Sequence, residues 1–144
     1  MPLVFKDRYE IDDSFGRLDF DQLEQWLSNT YWSPGIRKDE IIKGTRHSSI
    51  AVGCYLDGRQ VGFLRVVSDK TRFGYFLDVY VDEAHRKKGL AQAMMRFVFD
   101  HPDFADVYIW LLITKDAHGV YSKLGFTPVP EPQNCMGIKK PRNR

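Results

Sequence analysis

Asp78-Val79-Tyr80-Val81-Asp82-Glu83-Ala84-His85-Arg86-Lys87-Lys88-Gly89-Leu90-Ala91-Gln92 reads as the end of a strand, a loop and the start of a helix. Phe73, Tyr75, Leu77, Val79 and Val81 alternate as one face of a strand would. The period then switches, with Leu90, Met94, Phe97 and Val98 at helical spacing. A helix N-terminus presents unpaired N–H groups and a partial positive charge, and both stabilise a phosphate. Gly89 has no Cβ to obstruct a close approach, and Ala91 is nearly as small. Arg86, Lys87 and Lys88 add point charges. The stretch predicts a pyrophosphate site, with a solvated basic loop as the plain alternative. It is not a Walker A loop, since no G-x-x-x-x-G-K-[ST] occurs, and it lacks the spacing of the dinucleotide fingerprint.

Upstream, residues 4–11 predict a short first strand. Asp19 precedes Phe20, Leu23 and Leu27, and Gln22 completes a capping-box pattern at the start of a helix. Residues 29–35 are aromatic and turn-rich, with Tyr31, Trp32 and Pro34-Gly35. A second short helix is expected over 38–43. Ile50, Val52, Cys54 and Leu56 alternate as a half-buried strand, Asp57-Gly58 signals a hairpin, and residues 61–67 return as its partner. Downstream, His101-Pro102 stops the helix. Residues 107–113 are continuously apolar, which predicts a strand buried on both faces. A short helix fits 117–124 with Gly125 at its left-handed C-terminal position, and residues 126–129 and 135–138 read as two last strands. The order β-α-α-β-β-β-α-β-α-β-β predicts an α+β fold of mixed α/β layers, a mostly antiparallel central sheet flanked by helices.

The chain has 144 residues, 43% of them hydrophobic and 28% charged, which suits one domain over 1–144 with about 140–144 as a flexible tail. No apolar run nears the roughly 20 residues that span a bilayer. Residues 1–10 carry no long apolar stretch and no small-residue cleavage site, so a cytoplasmic, non-membrane protein is expected. Two cysteines, Cys54 and Cys135, are too few for a disulfide framework, and no Cys/His cluster suggests a metal. Net charge is +2, with basic clusters at Arg86–Lys88 and in a tail of Lys139, Lys140, Arg142 and Arg144. That is too little for a nucleic-acid partner to be expected.

The string Arg86-Lys87-Lys88-Gly89-Leu90-Ala91 resembles the R/Q-x-x-G-x-G/A motif of the GNAT superfamily of acetyl-CoA-dependent N-acetyltransferases. Val120-Tyr121-Ser122-Lys123-Leu124-Gly125-Phe126 is similar to that family's L-Y-x-K-x-G-F segment, and the element order agrees over most of the chain. The resemblance implies a GNAT-like acyl-CoA N-acyltransferase fold, with acetyl-CoA as co-substrate and no metal. It implies a cleft where the strand before the loop splays from the next parallel strand. Backbone groups of Val79, Tyr80 and Val81 would meet the pantetheine, and N–H groups of Lys87, Lys88, Gly89, Leu90, Ala91 and Gln92 would hold the pyrophosphate beside Arg86. Where the family often has an Asn that contacts the cofactor, this chain has Thr114; Thr114 or Asp116 could instead cap the following helix. The family also implies a homodimer by analogy alone.

The implied reaction is attack of an amine on the thioester carbonyl. A Val81 N–H could stabilise the oxyanion. Tyr121, a phenol with a pKa near about 10, would protonate the departing thiolate. The base is less evident, because Tyr75 and Leu77 hold the inward positions. Asp78 points to the other face in a regular strand, unless a bulge re-aims it, and a water-mediated route is the alternative. Glu83 and His85 flank the phosphate loop, with His85 read as solvent-exposed. Tyr31, Trp32 and Tyr75, with Arg72 and Phe73, are candidates to line the acceptor side; Tyr31 and Trp32 lie in a segment read as flexible. Asp39, Glu40 and Asp69 are acidic candidates for a cationic amine. The expected acceptor is a small-molecule or peptide amine. A non-catalytic acyl-CoA sensor on the same fold is the competing function.

Overall fold

The structure, a computed structural model, describes residues 2–142; Met1 and Arg144 of the basic tail lie outside them. The chain divides into two units, Met1–Leu112 and Ile113–Arg144.

The first unit is built on a sheet of order β1-β2-β3-β4-β5-β6, antiparallel as far as β5 and parallel between β5 and β6. The single strand expected over 4–11 is instead a hairpin of β1 (Leu3–Phe5) and β2 (Tyr9–Asp12). Its turn passes through Lys6 and Asp7, both left-handed at φ 55° and 57°. Neither is the Gly or Asn that usually marks such a turn, so the composition concealed it. The α1 helix (Phe20–Leu27) starts as expected, with the Gln22 N–H donating to Asp19 at 3.1 Å. The capping box closes differently, because the Asp19 N–H donates to Gln60 Oε1 at 2.7 Å and so ties the helix to the sheet. The α2 helix (Lys38–Arg46) runs beyond Lys43. Leu23, Trp26 and Leu27 pack with Ile41, Ala51 and Phe63 on one face of the sheet.

Strands β3 (Ile50–Leu56) and β4 (Arg59–Ser68) meet at the expected turn, Asp57 and Gly58 having φ 51° and 79°. The half-buried reading of β3 is corrected: the strand is buried along both faces, because α3 (Leu90–Phe99) covers the side that α1 and α2 do not. Cys54 is fully buried on β3, and burial pushes its thiol up to about 12. Cys135 is exposed. A thiol reagent applied to the native protein should therefore label Cys135 alone and reach Cys54 only after denaturation. Intact and peptide mass spectrometry reads this out, and equal labelling of both in the native state would contradict the burial.

Strand β5 (Phe73–Val81) does not keep one face throughout. Leu77 pairs with Arg65 and Tyr80 with Phe63, so two residues of β5 oppose one of β4, and Asp78 is left-handed at φ 55°. Phe76 consequently packs against Phe99 of α3, whereas Tyr80 stacks on Trp26 of α1. A regular strand would have put both rings on one side. The bulge expected only as an alternative is present, and it reverses the strand's parity.

The buried strand expected over 107–113 is also corrected. Only Ile109–Leu111 pairs, as β6, and Tyr108 and Ile109 are 69% and 48% exposed. Among the described residues the run lies at the sheet's edge with no further strand beyond it, so hydrophobicity did not imply two covered faces. Trp110 turns inward against Phe76, Phe99 and Phe104.

In the second unit, α4 (His118–Ser122) is followed by Gly125 at φ 96°. The strands expected over 126–129 and 135–138 are not formed. Pro128, Pro130 and Pro132 lack the N–H that a ladder needs, and a 3-10 turn at Pro132–Asn134 occupies the interval. Among the described residues, no helix is long and apolar enough to cross a membrane.

Candidate functional site

The loop from β5 to α3 is tied down at both ends. Asp82 donates its N–H to the Val61 carbonyl on β4 at 2.8 Å, which makes Asp82 and Val61 a hydrogen-bonded pair. Alternation then points the backbone groups of Val81 away from β4. On that far edge β5 pairs with β6 only at Phe73, Gly74 and Tyr75. Among the described residues no strand pairs with it from Phe76 to Val81, so β5 and β6 part after three residue pairs. The open edge leads straight into the basic loop.

Within the loop, Arg86 donates through Nε to the Val81 carbonyl at 2.9 Å and lies 5.3 Å from the Tyr80 ring. Lys87 and Gly89 are left-handed, at φ 64° and 80°, and Gly89 forms the N-cap of α3. A Cβ on Gly89 would meet nothing nearer than 3.8 Å. The glycine is therefore favoured by its backbone conformation rather than by crowding, and the space beside it is open. The first intrahelical bond of α3 runs from the Ala93 N–H to the Gly89 carbonyl at 3.0 Å. Leu90, Ala91 and Gln92 thus occupy the first turn of α3, at its positive end. No acidic side chain stands in that turn. These features fit a pyrophosphate and a pantetheine amide.

A second cluster gathers on the α1/α2 face of β5. The bulge aims Asp78 there, where its carboxylate accepts from Arg65 Nε at 2.7 Å and from the Trp32 indole N–H at 3.0 Å. The side chains of Asp78 and Arg65 are 11% and 22% exposed. Arg65 also donates to the Ser48 hydroxyl at 3.3 Å. Burial, and then the Asp78 charge, raise the Tyr75 phenol above its ordinary pKa, while Arg65 works against them. Trp32 and Tyr75, expected at the acceptor side, therefore come together with Asp78, the candidate base. The segment of Tyr31 and Trp32, read as flexible, is stitched in place: Ser33 and Thr30 donate to the Leu27 carbonyl at 2.9 and 2.7 Å, and the two rings meet edge to face at 5.0 Å. The acidic alternatives are occupied. Asp69 accepts from three backbone N–H groups of its own turn, which holds its carboxyl well below the usual carboxylate range, and Asp39 and Glu40 sit within reach of Arg37.

In the second unit Tyr121 lies on α4, and its ring meets Phe126 edge-on at 6.2 Å. Thr114 accepts the Ala117 N–H through its hydroxyl at 3.1 Å and so closes the turn ahead of α4; the N-cap itself is Ala117, without a side-chain cap, so neither Thr114 nor Asp116 caps the helix.

The GNAT acetyltransferase domain family matches residues 47–128. The chain belongs to the GNAT acetyltransferases. A GNAT-family protein from Xanthomonas campestris pv. campestris is 36% identical, covers 92% of this chain and 94% of its own, and superposes with a TM-score of 0.86. An acetyltransferase-like protein from Deinococcus radiodurans R1 (19% identity, 97% and 94% coverage, TM-score 0.74) and an aminoglycoside acetyltransferase from an uncultured soil metagenome (19%, 94% and 99%, 0.65) share the fold. No curated protein matches the sequence.

Two parts of this GNAT acetyltransferase were missed in the sequence. Arg65 gave a signal, since a charge inside the apolar run Val61 to Val67 calls for a partner. His85 gave none: it is half-buried rather than solvent-exposed, with Nδ1 3.0 Å from the Tyr9 hydroxyl. A groove of about 700 Å³ beside the β3–β4 turn, lined in part by Arg17 and Lys38, carries no assignment. Arg17 and Lys38 are already paired, Arg17 with Glu10 and Asp12 and Lys38 with Asp21.

Proposed function

We infer that this acetyltransferase moves an acetyl group from acetyl-CoA to a primary amine of a small molecule or peptide, by direct attack. The observation that carries the reading is the edge of β5 that β6 leaves after Tyr75, running through Val81 into the left-handed Gly89 at the head of α3. In this reading Val79 and Val81 offer that edge to the pantetheine, with Tyr80 between them held by Trp26. The N–H groups from Lys87 to Gln92 take the pyrophosphate, with Arg86, Lys87 and Lys88 supplying charge. Arg86 also fixes the Val81 carbonyl, and so helps aim the Val81 N–H at the developing oxyanion. Thr114 serves the cofactor side, and Tyr121 gives its phenolic proton to the CoA thiolate.

The bulged Asp78 supports an acceptor site between β5 and the 29–35 segment. A carboxylate offers about four lone-pair sites, and Arg65 and Trp32 use two. The remainder can hold an ammonium and receive its proton, directly or through water, beside Tyr75, Tyr31 and Trp32. The test is CoA thiol release with acetyl-CoA and a panel of amino acids, polyamines, aminoglycosides and peptides. Asp78→Asn retains an acceptor for Trp32 and removes the charge, so it should lower kcat/KM for the best amine by about tenfold or more. An undiminished kcat/KM would take Asp78 out of the reaction. Acetyl-CoA binding with no turnover on any amine would favour the sensor.

A further inference from the structure

We propose that the N-terminal hairpin is the mount of the phosphate loop, with Tyr9 and His85 as positioning residues for the acetyl-CoA pyrophosphate; this rests on the reading of residues 87–92 as the pyrophosphate site. Tyr9 is only 1% exposed, and a buried phenol needs a partner for its hydroxyl. It finds one 76 residues away, where its oxygen and Nδ1 of His85 share a hydrogen bond of 3.0 Å. The rings also meet edge-on, at 5.8 Å and 88°. A second contact lies beyond the basic triplet: Phe5 Cζ is 3.8 Å from the point a Gly89 Cβ would occupy. One end of the segment 85–89 is therefore bonded to β2 through His85, and the Phe5 ring of β1 stands near the other, at Gly89.

Those strands are themselves anchored. Tyr9 pairs with Leu56 and Ile11 with Cys54, so the hairpin continues the buried sheet. Between the two supports stands Lys87 at φ 64°, a conformation that side chains other than glycine adopt only where their surroundings impose it. Further bonds complete the imposition: the His85 N–H donates to the Asp82 carbonyl at 2.8 Å, and Arg86 Nε to Val81. A loop already held in one conformation binds its anion without a further ordering cost. The hairpin thus acts on cofactor affinity without touching the cofactor.

The test is a calorimetric titration of acetyl-CoA into the full chain and its Tyr9→Phe, His85→Ala and His85→Asn variants. Tyr9→Phe keeps the ring and deletes the hydroxyl; His85→Ala, at a half-buried loop position, guards against a folding defect at β2. Both should weaken acetyl-CoA about threefold to tenfold, the range of a single hydrogen bond. His85→Asn places an amide oxygen near the position of Nδ1 and should restore the affinity to within about twofold. KM for acetyl-CoA should rise in step, while kcat at saturation and KM for the amine hold. A lowered melting temperature with unchanged affinity would reduce the pair to a fold contact and overturn the proposal. A wild-type protein that binds no acetyl-CoA would instead overturn the pyrophosphate reading on which it rests.

Discussion

Tyr121→Phe should lower kcat for CoA release by about 10²-fold and leave the affinity for acetyl-CoA within about twofold. The contrast follows from the local structure. Tyr121 is the fourth residue of a five-residue helix, His118–Ser122, and its backbone serves both ends of the turn: its N–H donates to Ala117, and its carbonyl accepts from Phe126 at 3.3 Å. Its ring meets Phe126 edge-on. Phenylalanine keeps the backbone and the ring contact, so on the proposed mechanism the loss should fall on proton donation to the departing thiolate. An alkyl thiolate leaves poorly without a donor, and a positioned acid contributes on the order of 10²- to 10⁴-fold. Steady-state kinetics with the best amine, alongside calorimetry, makes the check. A kcat within twofold of wild type would remove Tyr121 from the proton's path.

Gly74→Val should cost about 2–3 kcal/mol and lower the melting temperature by roughly 5–10 °C. A Cβ on Gly74 would stand 2.3 Å from Cζ3 and 2.5 Å from Cε3 of Trp110. The indole cannot simply swing aside, because it is wedged against Phe76, Phe99 and Phe104. Gly74 and Trp110 are moreover the middle pair of the three that join β5 to β6. Prising them apart should loosen the point from which the two strands diverge, so acetyl-CoA should bind more weakly as well. Scanning calorimetry and an acetyl-CoA titration read the two effects. An unchanged melting temperature would mean that the aromatic cluster is far softer than its packing indicates.

What was legible in the sequence divides by physical cause. The strand–loop–helix of 78–92 could be read because its signals are local: an apolar period that changes, a glycine at the change, and three cations before it. The Asp19 cap and the Asp57-Gly58 turn were legible for the same reason. The bulge at Asp78 was legible only as an alternative. It depends on how β5 registers with β4, and a left-handed aspartate carries no mark in composition. Its consequence, the meeting of Asp78 with Arg65 and Trp32 from distant segments, could not be read at all. The same holds for Tyr9 and His85. The last strands were expected on either side of a Pro-rich loop, but Pro128 lies inside the first of them and removes a ladder donor. The overestimate of 107–113 has the complementary cause: its hydrophobic side chains serve an edge strand, with Val107 buried and Trp110 turned in while Tyr108, Ile109 and Ile113 are exposed.

Amide chemical shifts of the isotope-labelled protein, followed as acetyl-CoA is added, test the central claim most directly. The expected result is saturable perturbation concentrated at Val79, Val81 and Lys87 to Gln92, the open edge of β5 and the first turn of α3. Absence of any shift, or shifts confined to other segments such as the groove at Arg17 and Lys38, would contradict the assignment of the acetyl-CoA site.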